Sequence, residues 1–310
     1  MTVEEYKNTP DVIQAKEDLA SMRYHKFCEN CKVKEDIGMT SKRFLSTSPY
    51  GLNKWRINKM WADPGEGVTH FDLALGNACN LKCISCWPRS SSSIMKEAIE
   101  HENNKIHYLD ITPEINNWIT EDNLNKILKH DVRRIEITGG EPMMVKHLAY
   151  LLTKLPSDVE IEITTNATIW NPAVVKQLKR FSNLLILVSV DVIGEKAKYV
   201  RSGSDWTIME KNINKYKKFA EVQIASLQSV LSAPYYLELE QWAKKENIKV
   251  NITQCMEPAD MCITNFPDEY KHLISNWHGI PNTAHDSSQV ESLKNKLRTL
   301  DKWRDMSIRD

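Results

Sequence analysis

Six short runs of β-branched and aliphatic residues recur between positions 68 and 254: THFDLAL (69–75), RRIEIT (133–138), VEIEIT (159–164), LLILVSV (184–190), VQIASLQ (222–228) and IKVNIT (248–253). Several alternate strictly, as in Ile161, Ile163 and Thr165, which is the period of a strand with two different faces. Between the runs, apolar residues return at helical spacing. Val145, Leu148, Leu152 and Leu155 form one stripe, and Val174, Leu178 and Phe181 a second. The second follows Asn171-Pro172, a capping residue and then a first-turn proline. Trp206, Met209, Ile213 and Tyr216 form a third stripe; Tyr235, Leu239, Trp242 and Ala243, after Pro234, form a fourth. The aromatic and Met residues in these stripes read as core packing. Six strands separated by helices predict an α/β protein with a parallel sheet and right-handed crossovers.

The longest connection, about residues 79–132, follows the first strand. It holds a cluster of cysteines, a Ser-rich helix start (RSSSSIMKEAIE) and a second helix opening at Thr112-Pro113. The four-Ser run reads as a loop and helix cap, and no internal repeat is present. The alternation sets three expected regions: an N-terminal extension at 1–67, a core barrel at 68–254 and a C-terminal cap at 255–310.

Composition narrows the partners. Of 310 residues 41% are apolar, enough for a large core, and 41 Lys and Arg balance 41 Asp and Glu. A net charge of zero lacks the basic excess of a general nucleic-acid surface. The opening segment has no apolar stretch of signal-peptide type, and no run approaches the roughly 20 apolar residues of a membrane helix. These features set the expectation of a cytoplasmic protein with no membrane partner.

Seven cysteines change the picture: Cys28, Cys31, Cys79, Cys83, Cys86, Cys255 and Cys262. An odd count in a reducing compartment fits metal or cluster ligation better than disulfides. Burial as small apolar side chains would account for Cys255 or Cys262 singly. It does not account for three thiols in the eight positions from Cys79 to Cys86, in NACNLKCISCWP. That loop follows the first strand, at the strand end where barrels of this kind keep their active sites. Three thiolates can hold three irons of a [4Fe–4S] cluster and leave the fourth open, as a catalytic metal centre requires.

Cys79-x3-Cys83-x2-Cys86 after a first strand, with Thr138-Gly139-Gly140-Glu141-Pro142 after the second, resembles the radical S-adenosylmethionine (SAM) enzymes. The resemblance spans about residues 68–254. It implies a partial (βα)6 TIM-like barrel, and SAM chelating the open iron. One-electron cleavage to methionine and a 5′-deoxyadenosyl radical would then abstract a hydrogen atom from a substrate.

The same resemblance suggests site residues. Gly139, Gly140, Glu141 and Pro142 would form the element that binds the methionine amine, Glu141 through its carboxylate. Ser189 is a candidate for the SAM carboxylate or ribose, Asn166 for the ribose or substrate side, and Asp191 for either. Arg201, in YVRSGSDW, would pair with the SAM carboxylate, for which a guanidinium is well shaped. Gln228 is a candidate from its position at the end of the fifth strand. Relatives usually carry an aromatic residue just before the third cysteine; here Ser85 stands there, with Trp87 just after Cys86. The backbone of Ser85 and the ring of Trp87 are the candidates for the adenine contact. The scattered His70, His107, His130 and His147 offer no evident acid or base.

Cys28-x2-Cys31 and Cys255-x6-Cys262 together are a complete set of four thiols for a second [4Fe–4S] cluster or a tetrahedral zinc. This resembles the auxiliary-cluster, or twitch, arrangement of some radical SAM enzymes, although two of these cysteines precede the barrel. An auxiliary cluster would favour net oxidation, with a flavodoxin or ferredoxin as electron donor. The expected substrate is a small molecule or nucleotide-like compound. A peptide-modifying maturase is the alternative, and a zinc-stabilised binding module with no enzymatic activity is the reading of another class.

Overall fold

The computed structural model describes residues 3–21, 23–36, 38, 41, 44, 68–101, 119–266 and 287–307. The expected helix at Thr112-Pro113, His107 and parts of both flanking regions lie outside the described residues. The chain divides into two units, Met1–Val68 with His278–Thr283, and Thr69–Trp277 with Ala284–Asp310. The described residues from 255 onward therefore belong to the same unit as the barrel.

The first unit, among its described residues, is helical. Helices span Val3–Lys7, Pro10–Ala20 and Glu29–Asp36, with a single 3₁₀ turn at Lys26–Cys28. Pro10 opens the second helix, where its missing N–H costs no hydrogen bond. The Nδ1 of buried His25 accepts from the Phe27 amide and so caps the 3₁₀ turn. Cys28 ends that turn and Cys31 sits in the first turn of the next helix.

The second unit is built on a sheet of six strands, all parallel, which lie side by side in their order along the chain. These are β1 (His70–Ala74), β3 (Arg134–Thr138), β4 (Glu160–Thr165), β5 (Leu184–Ser189), β7 (Glu221–Gln228) and β8 (Lys249–Gln254). Strict sequence order across the sheet, with helices in the crossovers, gives the partial (βα)6 barrel architecture. Each of the six expected runs forms a strand. Ile135, Ile137, Ile161, Ile163, Ile186, Val188 and Ile224 are fully buried on one face, as their alternation requires.

Each of the four stripes carries a helix, with Val145, Leu155, Phe181 and Tyr235 falling just outside the α-helical residues. Helices at Leu148–Lys154, Pro172–Leu178, Trp206–Tyr216 and Tyr236–Lys245 cover the sheet. Asn171 caps its helix by accepting from the amides of Ala173 and Val174. Tyr216 is entirely buried and stacks on Trp170, with ring centroids 5.1 Å apart.

One element was not legible in the sequence. Two-residue strands β2 (Lys82–Cys83) and β6 (Arg201–Ser202) pair antiparallel, Cys83 opposite Arg201. This ribbon joins the cysteine loop to a segment more than a hundred residues later. Two residues are too few to show any periodicity.

Replacing fully buried Ile163 with Ala removes core volume at the centre of the sheet. The expected cost is about 3 kcal/mol, read as a lower denaturant midpoint.

Candidate active site

The cysteine loop leaves β1 at the carboxyl edge of the sheet, and its path is fixed by backbone pairing with the end of β3. The Leu75 amide donates to Thr138 O at 2.9 Å, Gly140 N–H to Gly76 O at 2.8 Å, and Glu141 N–H to Ala78 O at 2.7 Å. The two segments lie so close that side chains are excluded. A Cβ on Gly140 would stand 2.5 Å from Ala78 O, and one on Gly139 2.8 Å from Gly76 O. Gly139 also has φ +126°, a backbone that L side chains rarely adopt. The glycines of TGGEP thus let two chains touch at the root of the loop.

Beyond that root the loop is braced by the serines that follow it. Ser93 Oγ donates to Cys79 O at 2.7 Å and Ser91 Oγ to Leu81 O at 2.7 Å. Ser92 Oγ accepts from the Cys79 amide at 3.1 Å. Ser91 also caps the helix Ser92–Glu100 by accepting from the Ile94 amide. The run therefore caps a helix and also satisfies the loop's backbone. On the other side Asn80 joins the end of β4: it accepts from Asn166 Nδ2 at 3.1 Å and donates to Thr168 Oγ1 at 2.9 Å.

Cys79, Cys83 and Cys86 line one cavity of about 280 Å³. Ser85 and Trp87 line it from the same loop, and Gly139, Gly140, Thr164, Thr165, Asn166, Ser189 and Arg201 from the strand ends and the ribbon. Trp87 is held by its indole N–H donating to Ser90 Oγ at 3.1 Å. Enclosure by protein pushes the Cys83 thiol up to about 12 and Cys86 to about 11, and raises Cys79 as well. Among the described residues no three His, Cys, Asp or Glu side chains are drawn into a closed metal-ligand group. The fit to a cluster rests instead on the donor set, three thiols on the wall of one polar-rimmed cavity.

Among the described residues Arg201 is the one cation on that wall. Its Nε donates to Asp191 Oδ2 at 2.9 Å and its Nη2 to Asp191 Oδ1 at 3.2 Å, a paired contact that fixes the guanidinium plane. Its Nη1 is thereby aimed at Cys83 Sγ, 3.8 Å away. Burial works against this charge, but Asp191 and Cys83 more than offset it and raise the pKa of Arg201. A guanidinium has five N–H donors, so two remain for a ligand in the cavity.

Four expected site residues do not face the cavity. Glu141 is fully buried, and its carboxylate accepts from the Met143 amide at 2.9 Å, Thr165 Oγ1 at 2.8 Å and the Asn166 amide at 2.7 Å. A carboxylate at this depth needs such donors, since burial pushes its pKa up. Expected on the ligand side, it instead pins the end of β4 to the turn after β3. Pro142 is buried in the 3₁₀ turn Pro142–Met144. Asp191 turns to Arg201 and also accepts from the Leu227 amide at 2.8 Å, tying the ribbon to β7. Gln228 is buried, and its carbonyl accepts from the Cys255 amide.

The second set of cysteines is divided between the units. Cys28 and Cys31 are half-buried in the first. Cys255 and Cys262 are buried in the second, where burial, with Cys262 next, pushes Cys255 up to about 12. The buried Lys296 stands beside them, with Nζ 3.8 Å from Asp260 Oδ1. His130 packs against Phe71, and His70 and His147 are not on the cavity wall.

Residues 73–226 match the family model of the Radical SAM superfamily, and the chain belongs to that superfamily. The superfamily implies a [4Fe–4S] cluster and SAM. Among curated relatives, GTP 3′,8-cyclase of Clostridium acetobutylicum is 30% identical over 132 residues, 42% of this chain and 36% of that protein. The radical SAM cyclopropyl synthase TigE of Paramaledivibacter caminithermalis is 27% identical over 161 residues, 49% of this chain and 33% of that protein. The matches thus span about a third of each of these two relatives' length. Among solved structures, anSMEcpe with bound AdoMet aligns at 17% identity and TM-score 0.47, over 61% of this chain and 50% of that one. No helix among the described residues is long and apolar enough to cross a membrane.

Two substitutions test this geometry. In Gly140→Ala the added Cβ forces the loop root apart, and the residue-140 and Glu141 amides exchange with solvent at least about tenfold faster. In Glu141→Gln one carboxylate oxygen becomes an NH2 that cannot accept, so one of the two backbone amides loses its partner, and the protein loses about 1–3 kcal/mol in denaturant unfolding.

Proposed function

We propose that Cys79, Cys83 and Cys86 hold a [4Fe–4S] cluster whose open iron binds SAM, and that this centre oxidises a small, nucleotide-like substrate. The observation that carries the reading is the convergence of three thiols, two glycines and an arginine on one cavity wall. A cluster and SAM bound there would supply the one-electron chemistry by which a hydrogen atom is taken from the substrate.

The chain's own residues hold and orient. Gly139 and Gly140 present backbone to the methionine end. The two outward N–H groups of Arg201 suit the SAM carboxylate, and Asp191 keeps the guanidinium in that plane. Ser189 offers a hydrogen bond to the SAM carboxylate or ribose, and Asn166 one to the ribose or the substrate. Ser85 and Trp87 flank the adenine end. Glu141 acts from behind, holding the turn after β3 against the end of β4.

Cys28, Cys31, Cys255 and Cys262 are the ligands we assign to a second centre, [4Fe–4S] with zinc as the alternative. An iron centre there would favour net oxidation, because the electron left on a substrate radical then has an acceptor. A flavodoxin or ferredoxin fits as the donor of the electron that cleaves SAM. The nucleotide-like substrate is supported by relatives named for action on GTP.

Anaerobic reconstitution with iron and sulfide, then SAM and dithionite, tests both parts. The expected result is 5′-deoxyadenosine with about eight irons per chain, from two four-iron clusters. About four irons with cleavage would move the other four thiols to zinc. Tightly bound zinc with no iron and no cleavage would overturn the reading.

A further inference from the structure

The C-terminal helix Ser287–Arg304 lies beyond residues 73–226, yet its last turn reaches the back of the cysteine loop. Arg304 is buried there, with 2% of its side chain exposed. Its Nε donates to Glu97 Oε1 at 2.9 Å and its Nη2 to Glu97 Oε2 at 2.6 Å. Glu97 also accepts from Lys82 Nζ at 2.8 Å. The remaining nitrogen of Arg304, Nη1, donates to the backbone carbonyl of Lys82 at 2.9 Å. Lys82 is the residue before Cys83, in the strand that pairs with Arg201.

The same helix and the residues just after it also reach the other strand of the ribbon and the residues before it. Tyr199 Oη donates to Asp301 Oδ1 at 2.8 Å, two residues before Arg201. Ser202 Oγ points to Met306 Sδ at 3.8 Å. Trp303 stacks flat on His101, just past the helix that follows the loop, with centroids 4.1 Å apart.

A two-residue ribbon has too few ladder bonds to hold itself. We infer that Arg304 is a positioning residue for the cluster site. By holding Glu97 with two nitrogens and the Lys82 carbonyl with the third, it sets where Cys83 and Arg201 stand. This rests on the reading that Cys83 is a cluster ligand. A bidentate, buried arginine is needed because one planar group must satisfy a carboxylate and a carbonyl at once. Lysine can reach one of the two.

The test uses the full chain, reconstituted with iron and sulfide, in four forms: the native sequence, Arg304→Lys, Arg304→Met, and Glu97→Leu with Arg304→Met. The double variant removes a buried ion pair, an exchange that is often neutral for stability, and leaves Lys82 able to reach water. The readouts are thermal midpoint, iron release to a chelator, and the electron paramagnetic resonance spectrum of the reduced protein with and without SAM. Loss of a supporting partner of this kind costs about tenfold or more in metal retention. Arg304→Met should therefore release iron about tenfold faster and show an altered SAM-dependent spectrum. Arg304→Lys should be intermediate. The double variant should recover the thermal midpoint but keep the fast release and the altered spectrum. If the double variant also recovers native iron retention and spectrum, Arg304 is only structural and the inference fails. If the native chain, once loaded, holds no iron that substitution of Cys83 removes, the cluster reading itself falls, and this inference with it.

Discussion

Backbone contact between residues 75–78 and 138–141 is the constraint on which the site depends. The loop that carries three thiols has no long strand or helix of its own. It is located because its root pairs, amide to carbonyl, with the turn after β3. That pairing tolerates no Cβ at positions 139 and 140. The same two glycines leave bare backbone on the cavity side. One sequence feature thus anchors the thiols and shapes the surface opposite them.

Around that root, the buried charges are each held by specific partners. Glu141 sits among backbone amides and a threonine hydroxyl, Asp191 against Arg201, and Glu97 against Arg304 and Lys82. Ionised groups at this depth are tolerated only when paired or hydrogen-bonded. Each of the three arrangements joins segments distant in sequence: β3 to β4, β5 and β7 to the ribbon, and the C-terminal helix to the cysteine loop. Their effect is orientation, which matters more at this cavity than the small net stability of any one pair.

The sheet and its helices were legible because their signals are local and repeated. Ile161 and Ile163 alternate with Glu160 and Glu162, and Asn171-Pro172 announces a helix. The cysteine loop was legible from its spacing together with its place after the first strand. What was not legible depended on contacts over long separations. Nothing local marks the two-residue pairing of Lys82–Cys83 with Arg201–Ser202, or the reach of Arg304 to Glu97. The inward turn of Glu141 was hidden for a related reason. Its partners, Thr165 and the Asn166 amide, sit on another strand, and only the assembled sheet brings them to it. The serine run was read as a cap and loop; its grip on the Cys79 and Leu81 carbonyls needed the loop's path to be known.

The most direct test of the central claim is Mössbauer spectroscopy of the chain loaded anaerobically with ⁵⁷Fe, with Cys28, Cys31, Cys255 and Cys262 replaced by Ala to leave one site. The account predicts a cluster in which one iron of about four is distinct, because three thiolates serve four irons. The signal of that iron alone should shift when SAM is added. Four equivalent irons indifferent to SAM, or no bound iron at all, would contradict it.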